Sequence, residues 1–122
     1  MDTIKSKKLS NLIKLSCSVK LLIPSTQNVD VEISDQEFEI EVENALVFLG
    51  NLFGGSTGSD AVGTWVSSSG LVKEKVKQIE SYSSSDDLNK HIDAVIDYSI
   101  ELKKRMNQEA IALTVNNELY FV

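Results

Sequence analysis

Residues 47–66, VFLGNLFGGSTGSDAVGTWV, force a change of backbone geometry in the middle of the chain, and every arrangement of the remainder has to accommodate it. Upstream, Phe38, Val42, Ala45, Leu46, Leu49, Leu52 and Phe53 recur at helical spacing and form one apolar stripe, while Glu37, Glu41 and Asn44 turn away. Ser34, with Glu37 three residues later, is a capping-box start for that helix. Gly54 and Gly55 stop it, because glycine favours the left-handed conformation in which helices end. Residues 63–66 then read as a short strand, so a helix must return onto a sheet across a glycine-rich connection.

The flanking segments supply that sheet. Ile13, Leu15, Cys17, Val19, Leu21 and Ile23 alternate with Lys14, Ser16, Ser18 and Lys20, a strand of period two that Pro24 ends. Residues 25–28 read as a loop, and residues 29–33 as either a short strand or an extended lead-in. Beyond a turn at 67–70, residues 71–82 predict a longer strand with Lys73, Lys75 and Lys77 on one face. Ile79 falls on the lysine side, so a bulge or sheet edge near it is expected to reset the phase. Residues 83–87 give an N-cap and acidic first turn to a second helix with the stripe Leu88, Ile92, Val95, Ser99, Leu102 and Met106. Ile111, Leu113 and Val115 alternate with Ala110, Ala112 and Thr114, and Asn116-Asn117 makes a two-residue turn into residues 118–122. The order β-α-β-β-α-β plus a C-terminal hairpin strand predicts an α+β, ferredoxin-like split βαβ fold, with two helices on one face of an antiparallel sheet. Residues 1–8 are expected to be a flexible basic tail and residues 9–122 a single α+β domain.

Charge and composition remove several function classes. Between Lys20 and Lys73 there are eight acids and no lysine or arginine, and the net charge is −6, so duplex nucleic acid is not expected as a partner. No apolar run approaches the roughly 20 residues of a membrane span. Polar residues interrupt the apolar stretch that follows the N-terminal lysines, which argues against a secretion signal. With Cys17 as the sole cysteine, an internal disulfide is excluded and a reducing, cytoplasmic setting is expected.

Few groups suit catalysis. His91 is the only histidine, Cys17 lies in the buried phase of its strand, and Asp93, Asp97 and Glu101 repeat at i, i+4, i+8 as a solvated helix face does. The expectation is therefore a non-enzymatic protein with no catalytic residue, cofactor or metal. Its binding surface would combine the glycine region (Gly54, Gly55, Ser56, Thr57, Gly58 and Ser59) with Trp65, Lys73, Lys75, Lys77, Tyr82 and Arg105. Loop amides and cations would neutralise a small anionic, nucleotide-derived ligand, and Trp65 or Tyr82 would stack on its base. Two readings of the glycine region stay open, a helix stop with a connector and a ligand-contacting or partner-contacting loop; it matches neither a phosphate loop nor a dinucleotide fingerprint. If the odd residues of the first strand face the helices, Lys14 and Lys20 join Lys73, Lys75 and Lys77 on an open face. Those five lysines would receive a phosphate-bearing molecule or the acidic helix of another copy, or would serve only solubility and edge protection. The alternative function is an interaction module or inhibitor that docks on a host protein through its acidic first helix or open sheet face. Ala110, Ala112 and Thr114 are small enough for a homo-oligomer to pack through that face.

Several short motifs occur in a fixed order: Phe53, Gly54, Gly55 and Thr57; Gly63 and Trp65; Gly70, Leu71, Val72, Glu74 and Val76; and Gln108, Glu109 and Ala110. In this the chain resembles a group of small, mostly uncharacterised α+β proteins of bacteria, phages and plasmids. The resemblance implies a phage or mobile-element protein acting in the host cytoplasm. By analogy it implies an anti-defence sponge that holds a nucleotide-derived immune signal without cleaving it.

Overall fold

The computed structural model describes residues 4–27 and 31–122. The elements are α1 (Lys7–Ser10), β1 (Cys17–Pro24), β2 (Thr26–Gln27), β3 (Val31–Glu32), α2 (Asp35–Phe53), β4 (Thr57–Ser67), β5 (Gly70–Ser83), α3 (Ser85–Arg105), β6 (Ala112–Val115) and β7 (Glu118–Phe121). Five strands form an antiparallel sheet in the order β4-β5-β1-β6-β7, and β2 pairs with β3 alone. Without β7 this is the strand order of the split βαβ fold, as the periodicities predict.

The core follows from the period-two side of β1. Val19, Leu21 and Ile23 are fully buried against Val42, Ala45 and Leu49 of α2 and Val95 and Leu102 of α3. Leu21 sits opposite Ile79 on β5 and Leu113 on β6, so the three central strands each place a large apolar side chain in one row. Both long helices start as their sequences dictate. The Ser34 hydroxyl accepts from the Glu37 amide at 3.1 Å, and the Ser84 hydroxyl accepts from the Asp87 amide at 3.2 Å. Gly54 ends α2 at φ +87°, its amide donating to the Gly50 carbonyl at 2.8 Å. Asn116 and Asn117 both take positive φ, 51° and 66°, as a primed hairpin turn requires.

Four boundaries depart from the sequence expectation. β1 begins at Cys17 rather than near Ile13, because Cys17↔Ser83 is the last pair on β5 before Ser84 caps α3; Ile13 is 95% exposed. Of the expected tail, Met1, Asp2 and Thr3 lie outside the described residues, and Lys7–Ser10 form one helical turn that buries no residue. Asn28, Val29 and Asp30, in the expected loop and brief strand, also lie outside the described residues, while Thr26 and Gln27 pair with Glu32 and Val31. Finally, β4 starts at Thr57 and not at Gly63: its register on β5 runs unbroken from Thr57↔Glu80 to Ser67↔Gly70. No bulge interrupts β5 on either side, so Ile79 and the lysines of that strand share one face.

A candidate ligand groove on the open sheet face

The unbroken register decides where the expected site residues fall. Ile23 pairs with Lys77, and Ile23 faces the helices, so Lys77, Lys75 and Lys73 lie on the helix side of the sheet. The five-lysine open face is therefore not formed. Of the five, only Lys20 stands on the open side of a strand, 4.0 Å from Glu80, while Lys14 precedes β1. The glycine-rich connection is also shorter than expected, since Thr57, Gly58 and Ser59 belong to β4. Within it, the Ser81 hydroxyl donates to the Gly55 carbonyl at 2.6 Å and the Ser56 hydroxyl donates to the Leu46 carbonyl at 2.7 Å. These bonds fasten the end of α2 to the sheet.

The remaining expected site residues are dispersed. Lys77 donates to Asp60 at 2.7 Å, and this hydrogen bond holds the Asp60 carboxyl below the usual carboxylate range. Tyr82 is exposed and pairs with Ser18 near the opposite end of β5 from Trp65, which pairs with Val72. Arg105 reaches Glu41 of α2 at 3.1 Å and lies over the Tyr98 ring at 5.9 Å, so Glu41 is a half-buried ion-pair partner rather than a residue turned to water.

Trp65 instead belongs to a groove of ≈ 380 Å³ on the open face, a size suited to a small molecule. Leu22 and Pro24 of β1, Val76 of β5, Ala110 and Ala112, and Leu119 and Phe121 of β7 give it an apolar surface. Register assembles these parts: Pro24 lies opposite Val76, Gly63 opposite Glu74, and Ala112 opposite Phe121. A Cβ added at Gly63 would meet nothing within 4 Å, so the absence of a side chain there widens the groove. Among the described residues Glu74 and Glu109 line it, and no lysine or arginine does. Glu74 is held in place from outside the main sheet. The Thr26 hydroxyl donates to its Oε2 at 2.8 Å, and Gln108 Nε2 donates to the Thr26 carbonyl at 2.7 Å.

Leu22, Pro24, Thr26, Glu74, Val76, Gln108, Leu119 and Phe121 were not among the expected site residues, yet two signals pointed to some of them. Leu22 and Pro24 are apolar at even positions of β1, where the alternation calls for polar residues. Gly63, Trp65, Glu74, Val76, Gln108, Glu109 and Ala110, from three separate motifs of the resemblance, all line this one groove. Among the described residues no group of acids, histidine or cysteine is arranged to hold a metal ion, and no helix is long and apolar enough to cross a membrane.

The fold is thus a ferredoxin-like α+β sheet with an added edge strand and a concave open face. Among solved structures it is similar to a phage SAM lyase in complex with S-methyl-5'-thioadenosine, with a TM-score of 0.65 and 16% identity over 92% of each chain. It is likewise similar to a phage SAM lyase in the apo state, with a TM-score of 0.61 and 14% identity over 88% of each chain. At such identity the likeness shows the fold. No family model matches the chain, and no curated protein does. The expectation of a non-enzymatic protein is corrected by this finding, since the neighbours that share the fold are enzymes. That expectation rested on the scarcity of histidine, cysteine and metal ligands.

Proposed function

We propose that this chain is a small enzyme that binds S-adenosylmethionine in the open-face groove and cleaves it to S-methyl-5'-thioadenosine. The observation that carries the reading is the charge of the groove: an aromatic and apolar lining with two carboxylates and no cation. A phosphate-bearing ligand would lack a counter-charge there, whereas a sulfonium nucleoside finds Trp65 for its adenine and Glu74 or Glu109 for its positive charge. The fold neighbours support the same ligand class, because one of them was solved with that thioadenosine bound. In the cleavage the electron pair of the broken C–S bond goes to sulfur, which leaves as the neutral thioether. The four-carbon fragment loses a proton or closes on its own carboxylate, so neither water nor a cofactor enters. Positive charge at sulfur disappears along this path, and an apolar groove favours that loss. In a phage or mobile-element setting the enzyme would act in the host cytoplasm and draw down a nucleoside metabolite.

The test is calorimetric titration with S-adenosylmethionine, together with chromatography of the same mixture after incubation. Saturable binding with release of S-methyl-5'-thioadenosine is expected. Binding without release would sink the enzymatic half alone. Absence of both binding and release would sink the whole reading.

A further inference from the structure

β5 loses its partner on the β1 side after the pair Pro24↔Val76, and from there residues 61–76 continue as a two-stranded ribbon. A bare two-stranded ribbon is marginally stable in water, so its faces need covering. On the helix-side face Val62, Val66 and Leu71 are 62%, 80% and 70% exposed. In register, Val62 lies opposite Lys75 and Val66 opposite Leu71, so this face presents an apolar strip beside Lys73 and Lys75. The complementary surface occurs on the same chain. On α2, Ile40 and Val47 are 52% and 55% exposed and lie seven residues apart on one stripe. Glu39 and Glu43, four residues apart, are exposed beside them. Among the described residues none of Lys73, Lys75, Glu39 and Glu43 makes an ion pair within 4.0 Å, although Glu39 acts on Lys77 and Lys75 on Asp60 through space.

We infer that the ribbon of one copy docks on the outer face of α2 of a second copy, apolar strip on apolar stripe and lysines on glutamates. The occupant follows from charge: the ribbon face is basic, the outer face of α2 is acidic, and each exposes large aliphatic side chains that monomers seldom leave in contiguous patches. The contact repeats from copy to copy and produces either a reciprocal pair or a ring. None of the four charged residues lines the groove, so assembly and nucleoside binding can be tested separately.

The experiment is light scattering on the full chain during size exclusion, at low and at high salt. A mass that is a multiple of 13.5 kDa is expected, and it should fall at high salt. The variant K73E/K75E should associate at least about tenfold more weakly, as like charges face each other. Adding E39K/E43K to that chain should restore the assembly, with far-ultraviolet circular dichroism confirming that each variant is folded. A wild-type chain that stays monomeric at its highest soluble concentration overturns the inference. So does a K73E/K75E variant that assembles like the wild type, because the interface would then be the open face or another surface. Folded charge-reversed chains that fail to reassemble overturn it as well.

Discussion

Replacing Glu74 by Gln tests whether the groove is built for a cation. The substitution keeps the size of the side chain and leaves an amide oxygen to accept the Thr26 hydroxyl, which now donates to Glu74 Oε2 at 2.8 Å. Only the charge is lost. Two unit charges about 5 Å apart attract by roughly 0.8 kcal/mol in water and roughly 3 kcal/mol at an effective dielectric constant near 20. Glu74 is half-buried at the groove wall and therefore lies between these limits. The expected loss is about 1–3 kcal/mol, or roughly 5- to 150-fold in Kd for S-adenosylmethionine. S-Adenosylhomocysteine carries the same nucleoside and amino-acid ends around a neutral sulfur, so its Kd should change far less. Calorimetry on both ligands with both proteins gives four constants, and the informative quantity is the ratio of ratios. If E74Q weakens the two ligands equally, Glu74 acts on the groove's shape and not on the sulfonium. If it weakens neither, the charge of the groove plays no part in selection and the proposed ligand class fails.

Three further outcomes are expected. Trp65→Ala should weaken both nucleosides by about 1–3 kcal/mol through loss of the stacking surface, measured in the same titrations; an unchanged Kd would remove Trp65 from the site. Leu21→Ala should cost about 2–5 kcal/mol in urea unfolding, because Leu21 is fully buried between Ile79 and Leu113; a loss well under 1 kcal/mol would contradict the described core. Burial raises the pKa of Tyr98, outweighing the opposing effect of the Arg105 guanidinium beside its ring. The phenol of the folded chain thus ionises at higher pH than that of the unfolded chain. Its contribution to stability is complete below about pH 10 and is lost as pH rises through the folded value. Urea midpoints of the wild type should therefore fall in that alkaline range more steeply than those of Tyr98→Phe; parallel curves would refute the assignment.

The layers of the fold were legible because their signals are local. A stripe at helical spacing, a serine cap and a glycine stop specify α2 within a single stretch, and Asn116-Asn117 specifies the last hairpin by its need for positive φ. The face occupied by the lysines was not legible in this way. Alternation along β5 puts Ile79 and Lys73, Lys75 and Lys77 on one side, and the sequence reading introduced a bulge to separate a core residue from three charges. The structure resolves the conflict differently: beyond Val76 the ribbon leaves the region where β1 pairs, so one face carries a core residue at one end and exposed lysines at the other. Periodicity gives the side of a strand but not the point at which its cover ends.

A similar limit keeps the groove from being legible in any one stretch of the sequence. Glycine-rich segments attract functional readings, yet here only Gly54 needs a positive φ between α2 and β4, while Thr57, Gly58 and Ser59 are held in a ladder with residues 19 to 23 positions away. Strand pairing at that range leaves no mark in the segment itself. The groove is assembled from β1, β4, β5, β6, β7 and the segment before β6, so no window of the sequence contains it. What the sequence did carry was the exception to its own pattern, Leu22 and Pro24 on the side of β1 that faces away from the helices. Apolar residues on an open sheet face require a cover, and here they lie beside Trp65 and two carboxylates with no cation among the lining residues. The expectation of an anionic ligand rests on the glycine region, on Arg105 and on lysines of two strands sharing the open face. Once those lysines are placed on the other face, the charge that remains beside the aromatic ring is negative, which is the charge the proposed sulfonium ligand requires.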